Sequence, residues 1–167
     1  MEQGFVKVAS ATPRIRVADP VYNAQVICEQ AKEAAEHGAK IVVFPELCIT
    51  GYTCNDLFLQ ELLLEKAKEA LLTIAEETGQ LETLFLVGLP VDKDGRLYNV
   101  AAVLYRGRIL GMIPKKNIPM YAEFYEGRHF TPGEETVTEY RLGKQVIPFG
   151  SNPVSYTHLT LPTTERV

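Results

Sequence analysis

The chain has 167 residues, of which 46% are hydrophobic, and it carries a formal net charge of −4. This length predicts one domain with a core, and the acidic balance gives no reason to expect nucleic acid or an anionic membrane as a partner. No apolar run approaches the roughly 18 residues of a membrane span, and the amino terminus lacks the regions of a signal peptide. Three cysteines, whose spacing is not that of a zinc site, suit a reducing cytoplasm better than a disulfide framework.

Strands and helices alternate along the first half of the chain, and strands follow one another in the second half. Asp19 before Pro20 predicts a helix start, and Gly38 predicts its end. The predicted elements in chain order are strand 5–10, the helix that begins at Pro20, strand 40–46, helix 62–77, strand 84–88, a hairpin of strands 97–105 and 108–113, and short strands 136–141 and 145–149. This order predicts an α/β layered fold with a mixed sheet.

Two charged side chains follow predicted strands, at points where α/β enzymes keep their chemistry. Glu46 comes directly after Pro45, which is expected to end a buried strand because proline cannot donate to a sheet ladder. Lys115 and Lys116 follow the strand at 108–113, and only one of them can point inward because strand neighbours alternate faces. A general base and an oxyanion-stabilising lysine would lie about 4–6 Å apart. A solvated acid and ordinary surface lysines are the competing interpretation.

The remaining candidate side chains have plainer interpretations. Cys28 falls on the apolar face of the first helix, and Cys48 and Cys54 have no base beside them in the sequence, so all three are predicted to be buried structural thiols. The aromatic run 121–126 is consistent with a pocket wall that carries one or two more carboxylates. For Glu126 alone, we favour an exposed acid on a packed loop.

The last residues of the chain have a separate explanation. Residues 154–163 are encoded in full by one reading frame of a transposon-end sequencing adapter, and a native threonine-rich strand is the competing interpretation. We therefore expect a domain over residues 1–153, which is the front piece of a longer reading frame, and a non-native tail over residues 154–167.

At these positions the chain resembles the nitrilase, or carbon–nitrogen hydrolase, superfamily. Glu46 in the Phe-Pro-Glu sequence matches the first family motif, and Lys115, four residues before Pro119, matches a Lys-x-x-x-Pro motif. The pair Tyr98-Asn99 matches a Tyr-Asn element of the family. The resemblance implies a nitrilase-like α-β-β-α sandwich, truncated at its carboxyl end.

The resemblance sharpens to the N-terminal glutaminase domain of glutamine-dependent NAD synthetases over the stretch 44–58 and the run 121–126. It implies Glu46 as the general base, Lys115 as the oxyanion stabiliser and Glu123 as a supporting second glutamate. Tyr52 and Tyr121 would help to wall the glutamine pocket.

The same resemblance implies a cytoplasmic, homo-oligomeric parent enzyme with glutamine as its small-molecule substrate. It implies no metal or cofactor for this domain, whereas ATP and Mg²⁺ are expected for a separate synthetase domain. The nucleophilic cysteine of the family is expected beyond Val167, so the chain by itself is expected to be inactive. A stand-alone amidase or nitrilase and a non-catalytic assembly module are the alternatives.

Overall fold

The computed structural model describes residues 4–119 and 125–152. Its helices and strands in chain order are β1 (Val8–Ser10), α1 (Pro20–Glu36), β2 (Ile41–Val43), α2 (Glu61–Glu77), β3 (Leu84–Lys93), β4 (Arg96–Tyr105), β5 (Arg108–Pro114), β6 (Thr138–Leu142) and β7 (Gln145–Phe149). Short 3-10 helices occupy Asn55–Leu59 and Glu126–Arg128. Tyr121, Glu123 and the predicted boundary after residue 153 lie outside the described residues.

The ends of α1 follow from local chemistry, as predicted. The Asp19 side chain accepts a hydrogen bond of 3.1 Å from the backbone N–H of Tyr22, and Pro20 occupies the first helical position. Gly38, just past the helix, has a φ of 81°, a conformation that other residues rarely adopt. Neither α1 nor α2, the two α-helices among the described residues, is long and apolar enough to cross a membrane.

Within the described part of the chain, one seven-stranded sheet has the order β1-β2-β3-β4-β5-β7-β6. The first three strands are parallel neighbours, with α1 and α2 as their connections. Because such connections are right-handed, both helices fall on the same face of the sheet. β4 runs antiparallel to β3 and β5, whereas β7 is parallel to β5 and antiparallel to β6. The predicted mixed α/β sheet is confirmed.

The first three strands differ most from their predicted bounds. β1 begins at Val8, and β2 ends at Val43, so Glu46 lies in the turn beyond its strand and not at the strand tip. β3 continues to Lys93 and pairs with β4 across the turn Asp94-Gly95, whose φ angles are 52° and 71°. An Asp-Gly pair is a strong hairpin signal because both turn positions need positive φ, and the sequence analysis did not use it.

The two faces of the sheet are covered to different extents. The helix-covered face carries fully buried side chains from α2 and β3, among them Ile74, Phe85 and Val87. On the opposite face, which we call the open face, Val43 is 45% exposed and Leu86 is half-buried. The residues that carry charge after β2 and β5 lie at one border of this open face.

Candidate active site

Glu46 lies in a turn that packs directly on β3. Before the turn, the Phe44 N–H donates to the carbonyl of Leu86 at 2.9 Å, and after it the Ile49 N–H donates to the carbonyl of Gly88 at 3.1 Å. A Cβ atom on Gly88 would lie 2.4 Å from the backbone nitrogen of Leu47. Only glycine allows the turn to approach the strand this closely, so Gly88 sets the height of Glu46 above the sheet.

The residue after Glu46 has an unusual backbone. Leu47 has a φ of 52° although it is a bulky residue, and its side chain is fully buried. The Gly51 N–H donates to the Leu47 carbonyl at 2.7 Å, which closes the turn. A non-glycine residue in the left-handed region costs on the order of 1 kcal/mol, which the surrounding packing must offset. The turn therefore fixes the direction of Glu46 tightly.

Lys115 is held between β4 and a later loop. Its backbone N–H donates to the carbonyl of Asn99 at 2.7 Å, and its own carbonyl accepts from the N–H of Gly133 at 2.8 Å. A Cβ atom on Gly133 would lie 2.6 Å from the carbonyl oxygen of Pro114. The glycine thus lets the loop reach the end of β5 and fix the backbone of the lysine.

The close approaches at Gly88 and at Gly133 fix the backbones of Glu46 and Lys115, and the two side chains meet. Lys115 Nζ lies 2.7 Å from Glu46 Oε1, which confirms the predicted proximity and is shorter than the predicted separation. Lys116 turns the other way and pairs with the exposed side chain of Glu135. Lys115, and not its neighbour, therefore faces the carboxylate.

Glu126 is a third charged member of the site, and the prediction that it is an exposed acid is wrong. Only 6% of the residue is exposed, and Lys115 Nζ lies 2.9 Å from both of its carboxylate oxygens. The Tyr52 hydroxyl donates to Glu126 Oε1 at 2.7 Å. A buried carboxylate needs such partners, and here a cation and a hydroxyl supply them. Glu123 and Tyr121, the other predicted members, lie outside the described residues.

The charge state of Lys115 follows from its surroundings. Partial burial disfavours the ammonium, but hydrogen bonds to Glu46 and Glu126, together with their negative charges, outweigh it and raise the pKa of Lys115 above its usual value. The lysine is therefore a fixed cation at neutral pH, suited to stabilise a developing negative charge.

Asn99 is the residue whose contact the sequence analysis missed. It is 3% exposed, and its side-chain amide donates a hydrogen bond to Glu46 Oε1. Its place in the Tyr-Asn element was the available signal, but a motif match does not say what the side chain touches. Tyr52 is found against Glu126, and its predicted role as a pocket wall stays a prediction.

A groove of about 490 Å³ begins at the charged residues and runs along the open face. Glu46, Asn99 and Lys115 lie at its polar end, and Leu86 and Ile113 are among its apolar walls. An apolar cleft with a few convergent polar groups is the usual form of a small-molecule site. The arrangement can place a small polar group, such as an amide, against the lysine.

The three cysteines are buried, as predicted. Burial raises the pKa of the Cys48 thiol to about 12 and that of Cys28 to about 11, and it also raises the pKa of Cys54. None of the three is therefore an activated nucleophile, because a nucleophilic thiol needs a lowered pKa. Among the described residues, no group of three or more His, Cys, Asp or Glu side chains is placed to hold a metal ion.

Comparisons with known proteins address the family and the fold of the chain. The sequence model of the carbon–nitrogen hydrolase family matches residues 7–152. Over 151 residues the chain is 38% identical to the glutamine-dependent NAD(+) synthetase of Mycobacterium bovis, and this match covers 90% of the chain and 22% of that enzyme. The enzyme of the same name from Thermotoga maritima is 38% identical over 113 residues, which cover 68% of the chain and 19% of that enzyme.

Solved structures give the same result for the fold. The glutamine-dependent NAD(+) synthetase from Cytophaga hutchinsonii superposes with a TM-score of 0.82 and 29% identity, over 87% of this chain and 25% of that one. An amidase from Nesterenkonia sp. superposes with a TM-score of 0.64 and 24% identity, over 86% of this chain and 54% of that one. The second likeness supports a nitrilase-type fold alone. The chain spans about a fifth of the length of the synthetases it matches.

Proposed function

Because the chain belongs to the carbon–nitrogen hydrolase family, we propose that its site hydrolyses the side-chain amide of glutamine within a glutamine-dependent NAD synthetase. One observation carries the proposal most directly: the Lys115 ammonium bridges Glu46 and Glu126 at the polar end of an apolar groove. We choose glutamine as the substrate because the relatives are named glutamine-dependent NAD(+) synthetases.

In the proposed reaction, Glu46 takes the proton of a cysteine thiol as the sulfur attacks the amide carbon. Lys115 stabilises the negative oxygen of the tetrahedral intermediate. The protonated Glu46 then gives its proton to the leaving nitrogen, so that ammonia departs and a glutamyl thioester remains. Glu46 next deprotonates a water molecule that attacks the thioester, and glutamate leaves as the thiol is restored.

The cysteine of this reaction is not one of the buried thiols described above. The prediction that the nucleophile lies beyond Val167, and that this chain alone is inactive, therefore remains a prediction. Transfer of ammonia to an ATP- and Mg²⁺-dependent synthetase domain, a cytoplasmic location and a homo-oligomeric parent are further parts of the proposal for the whole protein.

Glu126 is the described residue best placed to support Lys115, in the role that the family resemblance gave to Glu123. Its two oxygens hold the ammonium at 2.9 Å while Tyr52 binds the same carboxylate. We assign it the task of orienting the lysine and keeping it charged throughout the reaction.

The test compares two ways of making NAD with the full-length protein. Replacing the base in Glu46→Gln should lower the release of ammonia from glutamine by about 10³-fold, within the range for loss of a general base. The same variant should keep NAD formation from deamido-NAD when free ammonia is supplied, because that reaction bypasses the hydrolytic site. Release of ammonia and formation of NAD are measured in parallel.

The lysines provide a matched control. Lys115→Met should lose about 10²–10³-fold in ammonia release, as expected for removal of one oxyanion donor. Lys116→Met should stay within about twofold, because its side chain pairs with Glu135 at the surface. Equal losses in both lysine variants, or full activity in Glu46→Gln, would contradict the proposal.

The two alternatives give distinct results in the same assays. Amide hydrolysis without any NAD synthesis would indicate a stand-alone amidase. No turnover of glutamine by the unmodified full-length protein would indicate an assembly module that keeps the fold without the chemistry.

A further inference from the structure

Asn99 contacts both charged members of the site by two different groups. Its backbone carbonyl accepts the N–H of Lys115 at 2.7 Å, and its side-chain amide donates to Glu46 Oε1. The residue lies in β4, between the strand under the Glu46 turn and the strand that leads to Lys115. One residue in the middle of three strands therefore links the base to the oxyanion stabiliser.

The polar side chain of Asn99 is buried and needs hydrogen-bond partners within the protein. Its neighbours Tyr98 and Val100 point into the helix-covered core, so Asn99 points to the open face, where it is 3% exposed. A buried amide without a hydrogen-bond partner lowers stability by about 1–3 kcal/mol. The Glu46 carboxylate is the acceptor that satisfies the Asn99 side chain. The backbone bond to Lys115 needs no asparagine, since any residue supplies a carbonyl.

Both donors on Glu46 reach the same carboxylate oxygen. Asn99 Nδ2 and Lys115 Nζ each donate to Oε1, whereas no described residue donates to Oε2. Each carboxylate oxygen has two lone pairs that can accept hydrogen bonds. The two donors occupy those of Oε1, whereas those of Oε2 are not used by any described residue. The two oxygens of Glu46 are therefore chemically distinct in this site.

We propose that Asn99 is a positioning residue that fixes the Glu46 carboxylate through Oε1, so that Oε2 is the oxygen that accepts and returns the proton. The inference rests on the proposed hydrolytic function and adds to it the orientation of the base. Without the amide, Lys115 alone holds Oε1, and the carboxylate is free to rotate about its last bond. Proton transfer needs the accepting oxygen at hydrogen-bond distance in a defined direction.

Two substitutions separate positioning from simple packing. Asn99→Leu keeps the branching of the side chain and removes the donor, whereas Asn99→Asp keeps the shape and polarity but puts a second carboxylate against Glu46. If Asn99 only filled space, both variants would lower stability and leave the turnover of each folded molecule unchanged. If it positions the base, turnover per folded molecule falls in both variants, and further in Asp because its carboxylate repels that of Glu46.

The experiment measures kcat and KM for glutamine hydrolysis in the full-length protein. In Asn99→Leu, kcat per folded molecule should fall about 10- to 100-fold with KM within about threefold, because binding of glutamine is kept while the direction of the base is lost. Asn99→Asp should show a larger fall in kcat. If one variant does not fold, the other decides the question by the same measurement.

Thr83→Val is the matched control. Thr83 is 3% exposed, and its hydroxyl donates to the Ala39 carbonyl at 2.8 Å, at the opposite end of the parallel strands from Glu46. This variant also loses one buried hydrogen bond, so it should lower stability and leave kcat and KM unchanged. An unchanged kcat in the Asn99 variants, or higher activity in Asp than in Leu, would overturn the inference.

A second readout keeps this inference separate from the proposed function. If the unmodified full-length protein does not hydrolyse glutamine, the proposed function fails, and the ¹³C resonance of the Glu46 carboxylate is then compared at one neutral pH between variants of the present chain. A resonance that moves in Asn99→Leu but not in Thr83→Val would still support the contact. An unmoved resonance in Asn99→Leu would overturn it.

Discussion

The helix-covered face of the sheet buries Phe85 and Val87 completely, whereas the open face leaves Val43 45% exposed beside the groove. The first face derives its stability from apolar packing against α1 and α2. The second face carries the charged residues at its border, where Glu46 and Lys115 keep 40% and 29% of their side-chain surface exposed. The sheet thus separates the groups that hold the fold from those that face a substrate.

The turn that carries Glu46 connects the two faces of the sheet. The turn that carries Glu46 sits on Gly88 at the open face, while Leu47, Cys48 and Ile49 in the same turn are buried. One part of the turn is therefore packed among buried side chains, and the other part carries Glu46 at the site. Changes on the covered face should alter stability most, and changes at the anchors should alter both stability and activity.

The largest effect should come from the covered face. Ile74→Ala removes a fully buried side chain from α2 and should lower the free energy of unfolding by about 3 kcal/mol, within the range for such truncations. Val43→Ala, on the open face, should change it by less than about 0.5 kcal/mol. Urea unfolding of both variants measures the contrast, and similar losses would show that the two faces contribute equally.

An intermediate effect should come from the anchor under Glu46. Gly88→Ala places a Cβ atom 2.4 Å from the Leu47 nitrogen, so the turn must shift, and stability should fall by about 1–3 kcal/mol. Because Glu46 moves with the turn, glutamine hydrolysis by the full-length protein should fall further than the loss of folded protein explains.

Gly111→Ala is the matched control for that variant. Gly111 also lies within a strand, but a Cβ atom there would meet only the Pro148 carbonyl oxygen, at 3.8 Å. Stability should therefore stay within about 0.5 kcal/mol of the parent, and activity should be retained. If both glycine variants behave alike, Gly88 has no special part in placing Glu46.

The sequence was sufficient for the parts of the molecule that depend on local rules. The limits of α1 follow from Asp19, Pro20 and Gly38, and the approach of Glu46 to Lys115 follows from two charged residues that each come after a strand of one sheet. These features are set by capping, by backbone conformation and by the alternation of side chains along a strand.

Other features of the site depend on the tertiary structure and have no local signal in the sequence. Glu126 lies 11 positions after its lysine, and nothing in its sequence neighbourhood distinguishes a buried, paired carboxylate from a solvated one. Leu47 gives no sign of its positive φ, because leucine normally avoids that region. The contact of Asn99 with Glu46 joins residues that are 53 positions apart, so it exists only once the sheet has formed.

The smallest predicted effect concerns Cys48, which lies in the Glu46 turn with its thiol on the buried side. Burial raises the pKa of this thiol to about 12 in the folded protein, whereas a thiol in an unfolded chain titrates near pH ~8.5. A group whose pKa is raised by folding contributes stability fully below its unfolded value and loses that contribution as the pH rises toward the folded value. Between pH 8 and pH 9.5, the contribution should fall by about 1 kcal/mol.

Urea unfolding at several pH values from 8 to 9.5 tests this in the parent and in Cys48→Ala. Lysines, tyrosines and the other two thiols also titrate in this range, so the informative quantity is the difference in pH dependence between the two proteins. Cys48→Ala should be the less stable protein at pH 8, because it leaves a small cavity, and the difference in stability should narrow by about 1 kcal/mol at pH 9.5. Parallel pH dependences would mean that the Cys48 thiolate is solvated in the folded protein, and hence that the turn carrying Glu46 is not anchored in the covered core.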